Sequence, residues 1–334
     1  IKDRMVAAAR EAAPAVVDAA QKAATAAAEK VAEAVAEAKN VAGETSVANE
    51  PAAAEPVAAT AAQAPEGAIF NPDNAHGNLH LGIDVGSTTV KLAVLNDDNQ
   101  IVYAKYQRHH TDVRACARDL FEGAATVLPT AQMTCAITGS GGLLLSQWLD
   151  LEFVQEVIAS KRAVETLIPA TDVAIELGGE DAKIIYFDNG IEQRMNGTCA
   201  GGTGAFIDQM AALLNTDASG LDEMAKEHNI IYPIASRCGV FAKTDVQPLL
   251  NEGAKREDIA ASIFQAVVTQ TISGLACGRP IRGNVAFLGG PLQYLSELRH
   301  RFYLTLNLDE EHRIVPQNAH LFVAVSYTHL TLPT

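Results

Sequence analysis

Apolar and polar positions change their period along this chain, and the changes mark its elements. Leu79–Val85 and Val90–Leu95 are apolar-rich segments of strand length, interrupted by His80, Asp84 and Lys91 and joined by Gly86-Ser87-Thr88-Thr89. Asp97-Asp98-Asn99 then turns the chain into a third strand over 100–107. This pattern predicts a strand–turn–strand hairpin rather than the strand–turn–helix of a P-loop, and the Walker lysine spacing is absent. A helix is expected over 111–128, with apolar positions at Val113, Ala117, Leu120, Phe121 and Ala124. A short strand over 134–139 runs into Ser140-Gly141-Gly142, and a second helix is expected over 154–167. The hairpin pattern then recurs, with a strand over 172–177, the turn Gly178-Gly179-Glu180-Asp181 and a returning strand over 182–187. Two such hairpins read as duplicated halves of one fold. A third glycine turn, Leu288-Gly289-Gly290-Pro291, follows a strand over 284–287 and precedes a helix over 293–302.

Residues 1–77 lack this patterning. Met5 to Ala42 is Ala, Glu, Lys and Val with high helix propensity but little to bury, and Gly43 to Gly77 gathers Pro51, Pro56, Pro65 and Pro72. This extension is expected to be of low order, a loose helix followed by a flexible tether. At the other end, residues 327–334 fit no strand or helix and read as a truncation or translated cloning scar. The ordered part is expected over 78–326, divided near 168.

Composition narrows the function classes. A net charge of −15 argues against a nucleic-acid or membrane-surface partner. The apolar runs are read as too short to span a bilayer, and no signal-peptide pattern opens the chain. Five cysteines without close pairing suit a reduced cytoplasmic setting rather than a disulfide framework.

The turns carry the candidate chemistry. Two glycine-bearing hairpins can hold a triphosphate with backbone N–H groups and the small hydroxyls of Ser87, Thr88 and Thr89, and Lys91 adds a point charge. Asp84 and Asp181 can hold Mg²⁺ through its waters; the alternative is that both are ordinary surface turn acids. In Asn196 to Phe206, Cys199 stands against Gly201-Gly202-Thr203-Gly204. A helix beginning near 202–205 would turn its positive end toward that thiol. Cys238 is likewise followed by glycine. Two thiolates are too few for a structural zinc or a whole iron–sulfur cluster, so either a two-fold dimer supplies the other pair or both are buried free cysteines. Cys116, Cys135 and Cys277 read as core fillers, Trp148 as packing, and His109, His110 and His300 as solvated or capping residues.

The three turns in this order resemble the phosphate-1, phosphate-2 and adenosine motifs of the actin, Hsp70 and sugar-kinase superfamily. That resemblance implies an α/β fold of two ribonuclease-H-like subdomains with ATP between them, contacted by Gly86, Gly178, Gly179, Glu180, Gly289 and Gly290. Ile83-Asp84-Val85-Gly86-Ser87-Thr88-Thr89-Val90-Lys91, Glu176-Leu177-Gly178-Gly179-Glu180-Asp181-Ala182-Lys183, Cys199-Ala200-Gly201-Gly202-Thr203-Gly204-Ala205-Phe206 and Arg237-Cys238-Gly239-Val240-Phe241-Ala242 together resemble the BadF/BadG/BcrA/BcrD ATPase family. The similarity is to its 2-hydroxyacyl-CoA dehydratase activators. Glu180, where shorter activators carry glutamine, is similar to the large multidomain members. The resemblance implies ATP or ADP with Mg²⁺, and a homodimer sharing one four-iron–four-sulfur cluster on Cys199 and Cys238 of each copy. It also implies reduced ferredoxin or flavodoxin as electron source, and a dehydratase component as electron acceptor, separate or fused C-terminally. A small-molecule kinase and a nucleotide-switched binding module of the same fold are the competing functions.

Overall fold

Both predicted hairpins form, and each seeds a mixed sheet. The computed structural model describes residues 64–129, 131–188, 191–196, 201–236 and 239–325. The first sheet comprises β1 (Ile69–Phe70), β2 (Leu79–Val85), β3 (Thr89–Asn96), β4 (Ile101–Arg108), β5 (Met133–Thr138) and β6 (Glu152–Phe153), in the order β1-β4-β3-β2-β5-β6. The second comprises β7 (Val173–Leu177), β8 (Ala182–Tyr186), β9 (Glu192–Met195), β10 (Val285–Leu288) and β11 (Arg313–Ile314), in the order β11-β10-β7-β8-β9. Without β1 the two orders coincide: three antiparallel strands, then two parallel ones. The duplication read from the turns is therefore a duplication of topology.

Every residue of β2 and of β7 is buried. Both faces of each sheet are covered, so even His80, Asp84 and Glu176, which stand between the apolar positions of these strands, are buried. Helix α1 (Val113–Val127) covers the first sheet with Cys116, Ala117, Leu120, Ala124 and Val127. Helices α2 (Gly142–Leu149) and α3 (Glu156–Leu167) follow. The second sheet packs against α4 (Gly204–Leu213), α5 (Ala218–Lys226), α6 (Gly239–Asn251), α7 (Arg256–Thr271), α8 (Gly290–Tyr294) and α9 (Ser296–Leu306) in one large core.

Several expectations are corrected. Ile69 and Phe70 pair with Ala104 and Tyr103, and Ala75 is buried, so the expected tether ends before this segment. With its continuation, Arg256–Ala276 is 21 residues long and apolar enough to cross a membrane by length and composition, and 67% of that window is buried in the protein as a core helix. Cys277 ends this segment in a left-handed conformation (φ 47°) and is exposed, so it fills no core. Trp148 lies half-exposed with the Arg114 guanidinium 4.5 Å from its ring centre, a cation–π contact rather than core packing. The single helix expected over 293–302 is two helices. The buried Asp222 carboxylate of α5 accepts the backbone N–H groups of Ser296 and Glu297 at 3.0 and 2.8 Å and the Ser296 hydroxyl at 2.8 Å. It caps a new helix start there and leaves Leu295 extended.

The last described segment crosses back to the first sheet. Leu321, Ala324 and Val325 pack on Ala93, Leu95 and Ala104, and Val323 packs on Ala136, Val154 and Ala159.

Candidate nucleotide site

The cleft is built on two equivalent hairpins. Asp84 and Lys91 are cross-strand partners on β2 and β3; Glu176 and Lys183 are cross-strand partners on β7 and β8. Each turn closes with the same bond, Gly86 N–H to Thr89 O at 2.9 Å and Gly178 N–H to Asp181 O at 2.8 Å. Ile83–Lys91 therefore superposes in sequence on Ile175–Lys183 without a gap. The counterpart of Asp84 is Glu176; Asp181 is the counterpart of Thr89.

Lys91 donates to Asp84 Oδ2, and the buried Asp84 Oδ1 has no hydrogen-bond partner among the described residues. Burial pulls the Lys91 pKa down, but the Asp84 and Glu176 carboxylates outweigh it and hold the ammonium above its ordinary value. Lys183 is almost wholly inaccessible, and its Nζ lies 2.5 Å from Glu156 Oε1, 2.6 Å from Asp181 Oδ2 and 3.4 Å from Glu176 Oε1. Burial opposes its charge too, and Glu176, Asp181 and Glu156 together keep its pKa well above the usual one. Glu176 Oε2 accepts from Ser160 Oγ at 3.2 Å. Burial, with Glu176 and Asp84 adding to it against Lys183, pushes Glu156 up to about 7. Four carboxylates thus face two ammoniums, an excess of two negative charges when all are ionised, and of these six groups Lys91 and Glu176 line the cleft.

Thr88, Thr89, Lys91, Gly178, Gly179, Gly204, Gly289 and Gly290 line one cavity, joined by Glu176, Tyr106, Arg108, Asp208, Tyr294 and His320. The first two glycine turns meet here: a Cβ on Gly179 would lie 2.1 Å from Thr88 Oγ1. Gly289 has φ 89°, and a Cβ on it would lie 2.1 Å from the Leu177 carbonyl oxygen, so only glycine fits the third turn. Gly86 closes the first turn, Ser87 and Glu180 are exposed, and Gly201, Gly202 and Thr203 are buried beside the cavity wall formed by Gly204. Asp84 sits behind Lys91, and Asp181 is turned onto Lys183.

Helix α4 starts at Gly204, within the expected range, yet its first N–H groups do not point into open space. Gly204 N–H donates to Gly178 O at 3.0 Å and Ala205 N–H to Gly179 O at 2.7 Å. The second glycine turn is thereby bonded directly to the helix that follows Cys199 in the sequence. Cys199 and Cys238 themselves lie outside the described residues. Gly239, next to Cys238, rests on α4: a Cβ there would be 3.0 Å from Gln209 Oε1 and 3.8 Å from Phe206 Cδ2. Val240 and Phe241 follow it with relative exposures of 69% and 63%. Arg108 of β4 reaches Asp208 of α4 at 2.9 Å.

A family model described as the BadF/BadG/BcrA/BcrD ATPase family matches residues 81–299. The chain belongs to this family. It is 34% identical over 221 residues to the "(R)-2-hydroxyglutaryl-CoA dehydratase activating ATPase" of Acidaminococcus fermentans, covering 64% of this chain and 83% of that one. It is 32% identical over 215 residues to the "2-hydroxyisocaproyl-CoA dehydratase activator" of Clostridioides difficile, covering 63% and 80%. The solved structure of the activator of the 2-hydroxyisocaproyl-CoA dehydratase from Clostridium difficile with bound ADPNP superposes with a TM-score of 0.65 at 28% identity, over 74% of this chain and 92% of that one. As a BadF/BadG/BcrA/BcrD member the chain is an ATPase with the actin/Hsp70/sugar-kinase fold.

Within this family member, the sequence reading missed Glu176, Lys183 and Glu156. The ungapped repeat Ile83–Lys91 against Ile175–Lys183 carried the signal for the first two. Glu156 is 27 residues from Lys183, and nothing local to it announces the contact.

Proposed function

We propose that this ATPase is an activator that passes a low-potential electron to a 2-hydroxyacyl-CoA dehydratase component, using ATP to drive the transfer. The observation that carries the reading is the pair of hydrogen bonds from Gly204 and Ala205 to Gly178 and Gly179. A triphosphate in the cradle of Thr88, Thr89 and Gly179 pulls on the second turn, and α4 moves with it because its first turn is bonded to that backbone. Since α6 begins against α4 at Gly239, a shift of α4 would reach the residue that follows Cys238. The residues fit the nucleotide, because a Cβ would close the cradle at Gly179. They also fit Mg²⁺, because Asp84 Oδ1 is a buried acceptor awaiting a donor and the group of six carries excess negative charge. Asp84 and Glu176, with Asp181 nearby on Lys183, would be the acids to hold the ion through its waters.

Cys199 and Cys238 of two copies would hold one four-iron–four-sulfur cluster, which supplies the electron. The names of the relatives support the dehydratase as acceptor. Exposed Val240 and Phe241 beside Cys238 support a second copy there, since an isologous interface buries the same apolar patch twice. The homodimer takes electrons from reduced ferredoxin or flavodoxin in a reducing cytoplasm. Anaerobic purification tests this: the protein should be brown, with the broad visible absorbance of such clusters and iron that co-purifies with it. Cys199→Ala or Cys238→Ala should lose the iron while ATP binding persists. A colourless wild-type protein with full ATPase activity after anaerobic cluster reconstitution would sink the proposal.

A further inference from the structure

A second link ties α4 to the first sheet, and it lies on the cleft. Arg108 ends β4 as the cross-strand partner of Thr89, and its Nη1 donates to Asp208 Oδ2 on α4 at 2.9 Å. Both side chains line the cavity with Thr88, Thr89, Lys91 and Gly179. Among the described residues the guanidinium has no second partner, so Nε and Nη2 keep their donors free. The two side chains are 52% and 38% exposed, and an ion pair that wet holds weakly. Lys91, the other lasting cation among the described residues of the cavity wall, is committed to Asp84. The backbone beside Arg108 is fixed. His109 N–H donates to Thr88 O at 3.2 Å, Thr111 N–H to His109 Nδ1 at 3.1 Å and Asp112 N–H to His109 O at 2.7 Å. These bonds hold His110 and Thr111 at φ 45° and 72°, a conformation that a β-branched threonine adopts only under constraint. What can move here is the arginine side chain.

We propose that Arg108 has two alternative partners, Asp208 and the phosphates of a bound nucleoside triphosphate, and that its guanidinium leaves the first for the second. A triphosphate offers the planar fork more charge and more acceptor oxygens than one half-exposed carboxylate, so the exchange runs toward the ligand. Asp208 stands one helical turn beyond Gly204, whose N–H is bonded to Gly178 O. Once Arg108 has let go, α4 keeps its tie to the second turn and loses this one to β4. Ligand binding thus unfastens the helix that follows Cys199 from the first sheet, and the side chain that unfastens it is the one that grips the phosphates.

The inference rests on the nucleotide reading of the cleft, and binding isotherms separate the two. ADPNP with Mg²⁺ is titrated into the full chain, into Arg108→Gln, Arg108→Lys and Asp208→Asn, and into the double variant Arg108→Gln with Asp208→Asn. Arg108→Gln should weaken ADPNP by about 10-fold or more, the scale of one charge-assisted bond to phosphate. Arg108→Lys, which keeps the charge without the fork, should fall between that variant and wild type. Asp208→Asn should act in the opposite direction and tighten ADPNP by about 2–5-fold, because the competing carboxylate is gone. With Arg108→Gln already present, Asp208→Asn should change nothing. If Asp208→Asn tightens binding equally in both backgrounds, only the lost negative charge matters. If both single variants weaken binding, the pair merely holds the cleft together. Either result, or an Arg108→Gln chain that binds ADPNP like wild type, overturns the exchange while the nucleotide site stands. A wild-type chain that does not bind ADPNP overturns both readings.

Discussion

Glu156→Gln tests the charge arrangement under the cleft. Glu156 shares Lys183 with Glu176 and Asp181, and burial beside those acids raises its pKa from 4.5 to about 7. A carboxyl raised in the folded state favours folding while it is protonated. That contribution is fully present below 4.5 and is lost as pH rises through about 7. At ~1.4 kcal/mol for each pH unit between those values, the ionised group costs the folded state about 3 kcal/mol at pH 8. Glutamine keeps the shape of the protonated acid and cannot ionise, and Lys183 keeps its two other carboxylates. Urea unfolding without nucleotide and with divalent ions chelated should therefore give similar midpoints at pH 5. At pH 8 the variant should be more stable, by up to ~3 kcal/mol. A variant less stable than wild type at pH 8, or a difference that does not change with pH, would show that the Lys183–Glu156 attraction outweighs burial and refute the reasoning.

Two further substitutions check other parts of the structure. Gly179→Ala places a methyl 2.1 Å from Thr88 Oγ1, so the two turns must separate; ATP turnover should fall about 10-fold or more with the circular dichroism unchanged, a 1 Å misplacement being enough for that. Asp222→Ala removes the acceptor that caps α9 and leaves the N–H groups of Ser296 and Glu297 unpaired, which should lower stability by ~1–3 kcal/mol in urea titration, and an unchanged midpoint would refute the capping account.

The sequence showed the fold best where both faces of a strand are buried. Leu79–Val85 and Val173–Leu177 are legible because each is an apolar-rich segment of strand length running into a glycine turn. The break at Leu295 was illegible because its cause, Asp222, lies 74 residues away from Ser296. Cys277 was misplaced because an apolar run continues through Ala276 and carries no mark of the left-handed residue that ends it. In the cleft, reading each turn alone favoured Asp181, the acid within the turn. Aligning the two hairpins selects Glu176, one strand earlier, where its side chain lines the cavity. Lys183 and Glu156 meet only once α3 packs under the second sheet, so pattern within either segment says nothing of their contact.

The return of Leu321–Val325 to the first sheet bears on how the protein is made. Ala93, Leu95 and Ala104 find their cover in residues encoded more than two hundred positions later. On the ribosome, at ~5–20 residues per second, that face of the sheet waits on the order of 10–50 s for its partner. During that interval it is an uncovered apolar surface on a nascent chain, the kind of surface that chaperones hold and that aggregation consumes. The half of the protein synthesised first is thus among the last to be finished, and changes at Leu321 or Ala324 should appear first as lost soluble yield.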